Sequence, residues 1–205
     1  MMNKNLNSQS TLILVALERE LPKSLIPNWN ICYSGVGKVN AALSVAKAFQ
    51  IYKPSVIVNF GTAGSLNKNL KGLVKINTFK QRDMDVRPLG FNEGETPYDE
   101  LSTIKYNYNG YSCGTGDNFV TGKQNVITDI VDMESYPIAK FCFLNDIDFH
   151  CYKYISDNAN HDAANDWELN MKNGADLFIQ SVLNEKLGDK GKKWILTKLQ
   201  LLKLY

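Results

Sequence analysis

Apolar residues fall along this chain in short bursts of two different periods. Thr11 to Ala16 is a near-continuous, partly β-branched run, which predicts a strand buried on both faces. Ile31 to Ser34 predicts a second short strand, ending in Gly35-Val36-Gly37. From Lys38 the spacing changes. Val39, Ala42, Val45, Ala46 and Phe49 recur at three- and four-residue steps, so a helix is expected with that stripe turned inward, and Pro54 stops it. Ser55 to Phe60 is another buried strand, expected to run into a second glycine turn at Gly61-Thr62-Ala63-Gly64. Strand, glycine turn, helix and strand in that order point to a sheet covered by helices, an α/β fold.

From about Val74 to Phe119 the pattern is one of short β-like runs between polar loops. Arg82 to Asp99 is the longest stretch without periodicity, and loops of that length usually serve as lids, binding loops or subunit contacts. Ser112 to Val120 reads as a strand entering a glycine turn. Glu134 to Leu144 predicts a helix with Ile138, Phe141 and Cys142 inward, and Tyr152 to Ile155 the last strand. Asp166 to about Leu187 predicts one long amphipathic helix. The expected organisation is a disordered N-terminus over 1–10, one domain over 11–187, and a C-terminal extension over 188–205, helical in character.

Composition narrows the function. At 205 residues, 44% hydrophobic and 21% charged, the chain has the make-up of one ordinary globular domain. Its net charge of +2 gives no electrostatic footprint for nucleic acid or an anionic membrane. No apolar run approaches the roughly 20 residues of a membrane span, and the polar, Asn-rich first ten residues are unlike a secretory signal. Cys32, Cys113, Cys142 and Cys151 lie singly in apolar stretches, as buried thiols do in a reducing cytoplasm. With His150 and His161 the only histidines and no paired spacing, neither a metal nor a cofactor is implied.

What remains is a set of carboxylates at strand ends and strand-to-helix junctions. Glu20 follows the first strand, Glu134 opens a helix, and Asp157 follows the last strand, so one rim can collect all three. Such a pocket suits a reaction that develops positive charge, as glycosidic cleavage does. At a nucleoside, carboxylates stabilise the oxocarbenium-like sugar. An acid of raised pKa protonates the departing purine, and water or phosphate supplies the nucleophile. Asp157, oriented by Ser156, suits the acid; Glu134 suits ribose hydroxyls; Glu20 suits the base for water; Phe119 offers a face for stacking. Gly35-Val36-Gly37-Lys38 opens a helix, where free amides favour anions, yet it lacks the spacing of a dinucleotide fingerprint or a P-loop.

Six short motifs, in order, resemble the nucleoside phosphorylase/nucleosidase superfamily, and most closely its 5'-methylthioadenosine/S-adenosylhomocysteine nucleosidases. They are Ala-Leu-Glu-Arg-Glu-Leu (16–21), Gly-Val-Gly-Lys-Val-Asn-Ala-Ala-Leu (35–43), Asn-Phe-Gly-Thr-Ala-Gly (59–64), Gly-Asp-Asn-Phe-Val (116–120), Asp-Met-Glu (132–134) and Ile-Ser-Asp (155–157). The resemblance implies a three-layer α/β/α domain with a mixed central sheet. It implies Glu20 as the base for the attacking water, with Thr62 helping to hold that water beside Ala63 and Gly64. Glu134 is then the ribose acceptor with Asp132 beside it and Met133 under the sugar, and Asp157 protonates purine N7. Phe119 stacks on the base and the Val120 backbone reads its edge. Leu17, Val36 and Trp167 line the pocket for the 5'-substituent. A partner subunit's loop, corresponding to Val86 to Pro97 with Leu89 and Phe91 inserted, completes the site of an obligate homodimer.

Departures from the family are Lys153, at a substrate-binding position where many members carry arginine, the bulky Trp167, a short overall length and the lysine-rich tail. Superfamily phosphorylases surround phosphate with several arginines, whereas Glu20 points a carboxylate there. That juxtaposition costs of order 1–4 kcal/mol at ~4 Å. Hydrolysis is the expected reaction. Phosphorolysis, and a non-catalytic nucleoside binder or storage protein on the same fold, stand as alternatives.

Overall fold

A computed structural model of the chain describes residues 6–67, 69–122, 124–159, 163–170 and 173–183. The expected extension at 188–205 and residues 1–5 lie outside the described residues. Residues 6–10, expected to be disordered, form a turn around Asn7, whose carbonyl accepts the Ser10 and Thr11 amides, and Leu6 packs on the core.

Strands β1 (Thr11–Val15), β2 (Asn30–Tyr33) and β3 (Val56–Ser65) are parallel neighbours, with α1 (Lys38–Tyr52) crossing between the last two. Then come β4 (Leu73–Gln81), β5 (Thr103–Lys105), β6 (Tyr111–Thr115), β7 (Ile130–Asp132), α2 (Ser135–Leu144) and β8 (Asp148–Asp157). Helices α3 (Ala163–Asn170) and α4 (Gly174–Ser181) follow. The sheet is mixed, and it closes on itself. β3 pairs β8, β8 pairs β4, β4 pairs β6, β6 pairs β7 and β7 returns to β3. Closure leaves these five strands without an open edge.

Alternation along the strands builds the layers. Leu12, Leu14 and Ile57 face the core beneath α1 and α2, while Ile13, Val15, Val56, Val58 and Phe60 face α4. Phe60 stacks on Phe178 of α4 with ring centroids 4.3 Å apart. Each side of the sheet therefore carries its own apolar core, which explains why β1 and β3 read as continuous hydrophobic runs.

Four expectations change. The inner face of α1 is Ala41, Val45 and Ala48, whereas Val39 is 69% exposed and Ala42 also faces outward. Small residues let α1 approach the sheet closely, and Phe49 meets Phe141 edge-on at 5.6 Å. Gly61 to Gly64 forms no turn, because β3 continues straight through it. β8 is longer than Tyr152 to Ile155, and β7 emerges from a stretch without a strand pattern. The single helix expected from Asp166 is two helices, α3 and α4. α4 begins at Gly174, where an added Cβ would lie 2.5 Å from Tyr154 Cβ, so only glycine lets its first turn sit on β8.

Candidate active site

Beyond Val15 the chain turns tightly, with the Glu20 amide donating to the Leu17 carbonyl at 3.0 Å. This places Glu20, 3% exposed, at the carboxyl end of the parallel strands. Its Oε1 accepts the Thr62 amide at 2.9 Å and the Thr62 hydroxyl at 2.8 Å, and its Oε2 accepts the Leu17 amide at 3.1 Å. An ionised carboxylate has about four acceptor positions. Three are filled by fixed donors, and the one left, on Oε2, can receive a water molecule.

Glu134 caps the start of α2, and its Oε1 accepts the Gly37 amide at 3.0 Å. Burial pushes its carboxyl up to about 7; Lys153 and the Gly37 amide oppose the rise, while Asp132 and Glu20 add to it. Beneath it runs a buried ion pair, Lys153 Nζ to Asp132 Oδ2 at 2.8 Å. Burial alone would raise the Asp132 pKa, but Lys153 and hydrogen bonds from Thr115 and Ser135 hold it below the usual range. Burial tends to discharge Lys153, and Asp132 more than offsets this, so its pKa stands above the ordinary lysine value. Lys153 was expected to touch substrate. It is 1% exposed, does not line the cavity, and acts from below as the counter-charge of the acid cluster.

Asp157 ends β8. The pairing slips between Ala63 and Gly64, so Ala63 faces Ile155 while Gly64 faces Asp157. That bulge breaks the strict alternation of a strand and lets the adjacent Ser156 and Asp157 both border the cavity. Ser156 Oγ donates to Asp157 Oδ2 at 2.8 Å, and the Ala159 amide, turned back by a left-handed Ala159 (φ 48°), donates to Oδ1 at 2.8 Å. Burial raises the Asp157 pKa, these two bonds oppose it, and Asp166 adds to it. Gly64 is needed here: a Cβ would come within 2.6 Å of Asp157 Oδ1.

The three acids border one cleft, partly open to solvent. Thr62, Ala63, Gly64, Phe119, Val120, Asp132 and Met133 line it. So do Leu17, Val36 and Trp167. Val86, Leu89, Phe91 and Pro97 do not line it within the same chain. Four lining residues escaped the sequence reading: Ala16, Arg82, Asn118 and Val131. Arg82 was the one with a signal, as an arginine directly after a strand. Its Nη1 donates to Asn118 Oδ1 at 2.7 Å and its Nη2 to the Gly116 carbonyl at 3.2 Å, bracing the segment that carries Phe119 and Val120.

The first glycine turn is already occupied. Besides the Gly37 amide on Glu134, the Lys38 amide donates to Asp117 Oδ1 at 2.7 Å, and Lys38 Nζ pairs with Asp83 at 2.5 Å. Protein carboxylates hold the amides and the cation with which a helix N-terminus would bind an anion.

A sequence profile described as the Phosphorylase superfamily matches residues 28–110. A 5'-methylthioadenosine/S-adenosylhomocysteine nucleosidase of Exiguobacterium sp. is 31% identical over 65% of this chain and 69% of that relative. The same-named protein of Buchnera aphidicola is 31% identical over 67% and 70%. The chain belongs to the 5'-methylthioadenosine/S-adenosylhomocysteine nucleosidase family. Solved structures share its fold. The family's Helicobacter pylori member superposes with a TM-score of 0.76 at 21% identity over 88% of this chain and all (100%) of that one. Futalosine hydrolase of the same organism gives 0.77 at 21% identity over 87% and 99%.

The Glu134 carboxyl has a pH signature of its own. A pKa of about 7, against the usual 4.5, means that the folded protein holds a proton the unfolded chain releases. Its contribution to stability is therefore present below about pH 4.5 and is lost as pH rises to about 7. Urea unfolding of wild type and E134Q should show the difference between them shrinking against wild type over that window, by about 1–3 kcal/mol. A difference independent of pH would contradict the assigned environment.

Proposed function

We propose that this protein is an N-glycosyl hydrolase that releases adenine from 5'-methylthioadenosine, S-adenosylhomocysteine or both. The observation that carries the choice of water over phosphate is the Glu134 carboxylate seated on the Gly37 amide, with Asp117 on the next one. A phosphate at that turn would have to displace two carboxylates and meet Glu20 beyond them.

In this reading the purine lies between Phe119 and the backbone near Val120, with N7 toward Asp157. The raised pKa of Asp157 keeps a proton available for N7 as the glycosidic bond lengthens, and Ser156 and Ala159 fix the direction of the carboxyl. Positive charge grows on the sugar over Met133, where Glu134 receives the ribose hydroxyls. The open acceptor position on Glu20 Oε2 takes a proton from the attacking water. The Thr62 hydroxyl, directed at Glu20 Oε1, acts on the water through the base. No metal or cofactor enters the reaction. Asp157→Asn and Glu20→Gln should each lower adenine release from 5'-methylthioadenosine by about 100-fold or more while inhibitor binding persists. Near-normal turnover in either variant would contradict its assigned role.

The enzyme works as a homodimer, in which residues 86–97 of a second copy close the cleft. Supporting this, Leu89 is 69% exposed, and α1 and its approach present Val36, Val39 and Leu43 to solvent at 41%, 69% and 67%. Four unpaired cysteines suit a reducing cytoplasm; among the described residues no helix is long and apolar enough to cross a membrane. Sedimentation should give twice the 23.1 kDa chain mass, and Leu89→Asp should shift the protein toward monomer and raise KM. A wild-type monomer with full activity would contradict the shared site.

A further inference from the structure

We propose that Trp167 is a positioning residue for Glu20: acting through Thr62, it ties the orientation of the base to the wall of the pocket. The inference rests on the reading of Glu20 as base. Trp167 lies on α3, and its half-buried indole lines the cleft. Its Nε1 donates to Thr62 Oγ1 at 2.8 Å, and Thr62 Oγ1 in turn stands 2.8 Å from Glu20 Oε1.

Donor and acceptor counting sets the direction of this relay. An indole N–H can only donate, and a hydroxyl has one proton. Because Thr62 Oγ1 must accept from Trp167, its single proton is directed to Glu20. Without the indole the hydroxyl is free to rotate, and Oε1 loses a fixed donor. The indole itself is held in place: the Arg19 guanidinium lies 4.9 Å over its ring, and Phe119 meets it edge-on at 6.0 Å. One side chain therefore touches the stacking aromatic, forms cleft wall, and anchors the hydroxyl that orients the base. A substituent packing on that wall presses on the same indole that holds Thr62, so pocket occupancy and base alignment are linked.

The test is adenine release by wild type, W167F, T62V, T62S and the two double variants, with kcat and KM determined for each. Phenylalanine keeps an apolar wall but lacks the N–H. W167F should lower kcat about tenfold with KM changed less than about threefold, since the Thr62 hydroxyl that donates to the Glu20 carboxylate loses its fixed direction. The effect should persist in T62S, which keeps the hydroxyl, and vanish in T62V, which has none to direct. An unchanged kcat in W167F, or an undiminished W167F effect in T62V, would overturn the inference while leaving the hydrolase intact. A wild type that releases no adenine would remove both.

Discussion

The parallel pairing of β3 with β8 fixes most of what the site can do. It runs from Val56 opposite Asp148 to Gly64 opposite Asp157, and it slips by one residue near its end. Thr62, which holds the Glu20 carboxylate, and Asp157, the proposed acid, lie on adjoining strands of this seam. Their relative placement follows from sheet geometry, with no flexible loop between them. The slip frees Ser156 and Asp157 from strict alternation, and Gly64 permits the approach. The same seam closes the five-stranded ring and carries the cores on both its faces, so the rim is as rigid as the fold beneath it.

Charge is managed from below. Four carboxylates, Glu20, Asp132, Glu134 and Asp157, border one cleft; beneath them lies the buried Lys153, paired with Asp132, and buried Arg82 stands in the cleft wall. Asp132 takes most of that cation, which keeps it ionised. Glu134, sharing the remainder, stays easy to protonate. Asp157 is set apart, its pKa raised chiefly by burial. Environments thus separate the acids into roles that their side-chain chemistry alone would not distinguish. The carboxylates also serve as internal anions for the helix N-terminus behind Gly37, which removes the natural seat of a phosphate.

The strands buried on both faces and the three acids at element ends were legible because continuous apolar runs and abrupt polar stops are local features. Gly61 and Gly64 were misleading for a physical reason. Glycine marks a turn when backbone freedom is needed, but here both lie in an extended strand, and Gly64 serves by leaving space for Asp157. The stripe on α1 held at Val45 and Phe49 but failed at Val39 and Ala42, apolar residues that are exposed, a pattern that one chain alone cannot separate from core. The break between α3 and α4 depends on Gly174 meeting Tyr154, a tertiary contact with no local signature. Lys153 was assigned to substrate by its family position alone; its burial opposite Asp132 became visible only once β7 was in place.

The central claim is that protein carboxylates have replaced phosphate at the first glycine turn, leaving water as nucleophile. The most direct measurement is the sugar product formed from 5'-methylthioadenosine, separated by chromatography, with and without added phosphate. The account predicts free methylthioribose in equal yield under both conditions. A phosphorylated sugar, formed only when phosphate is present, would contradict it.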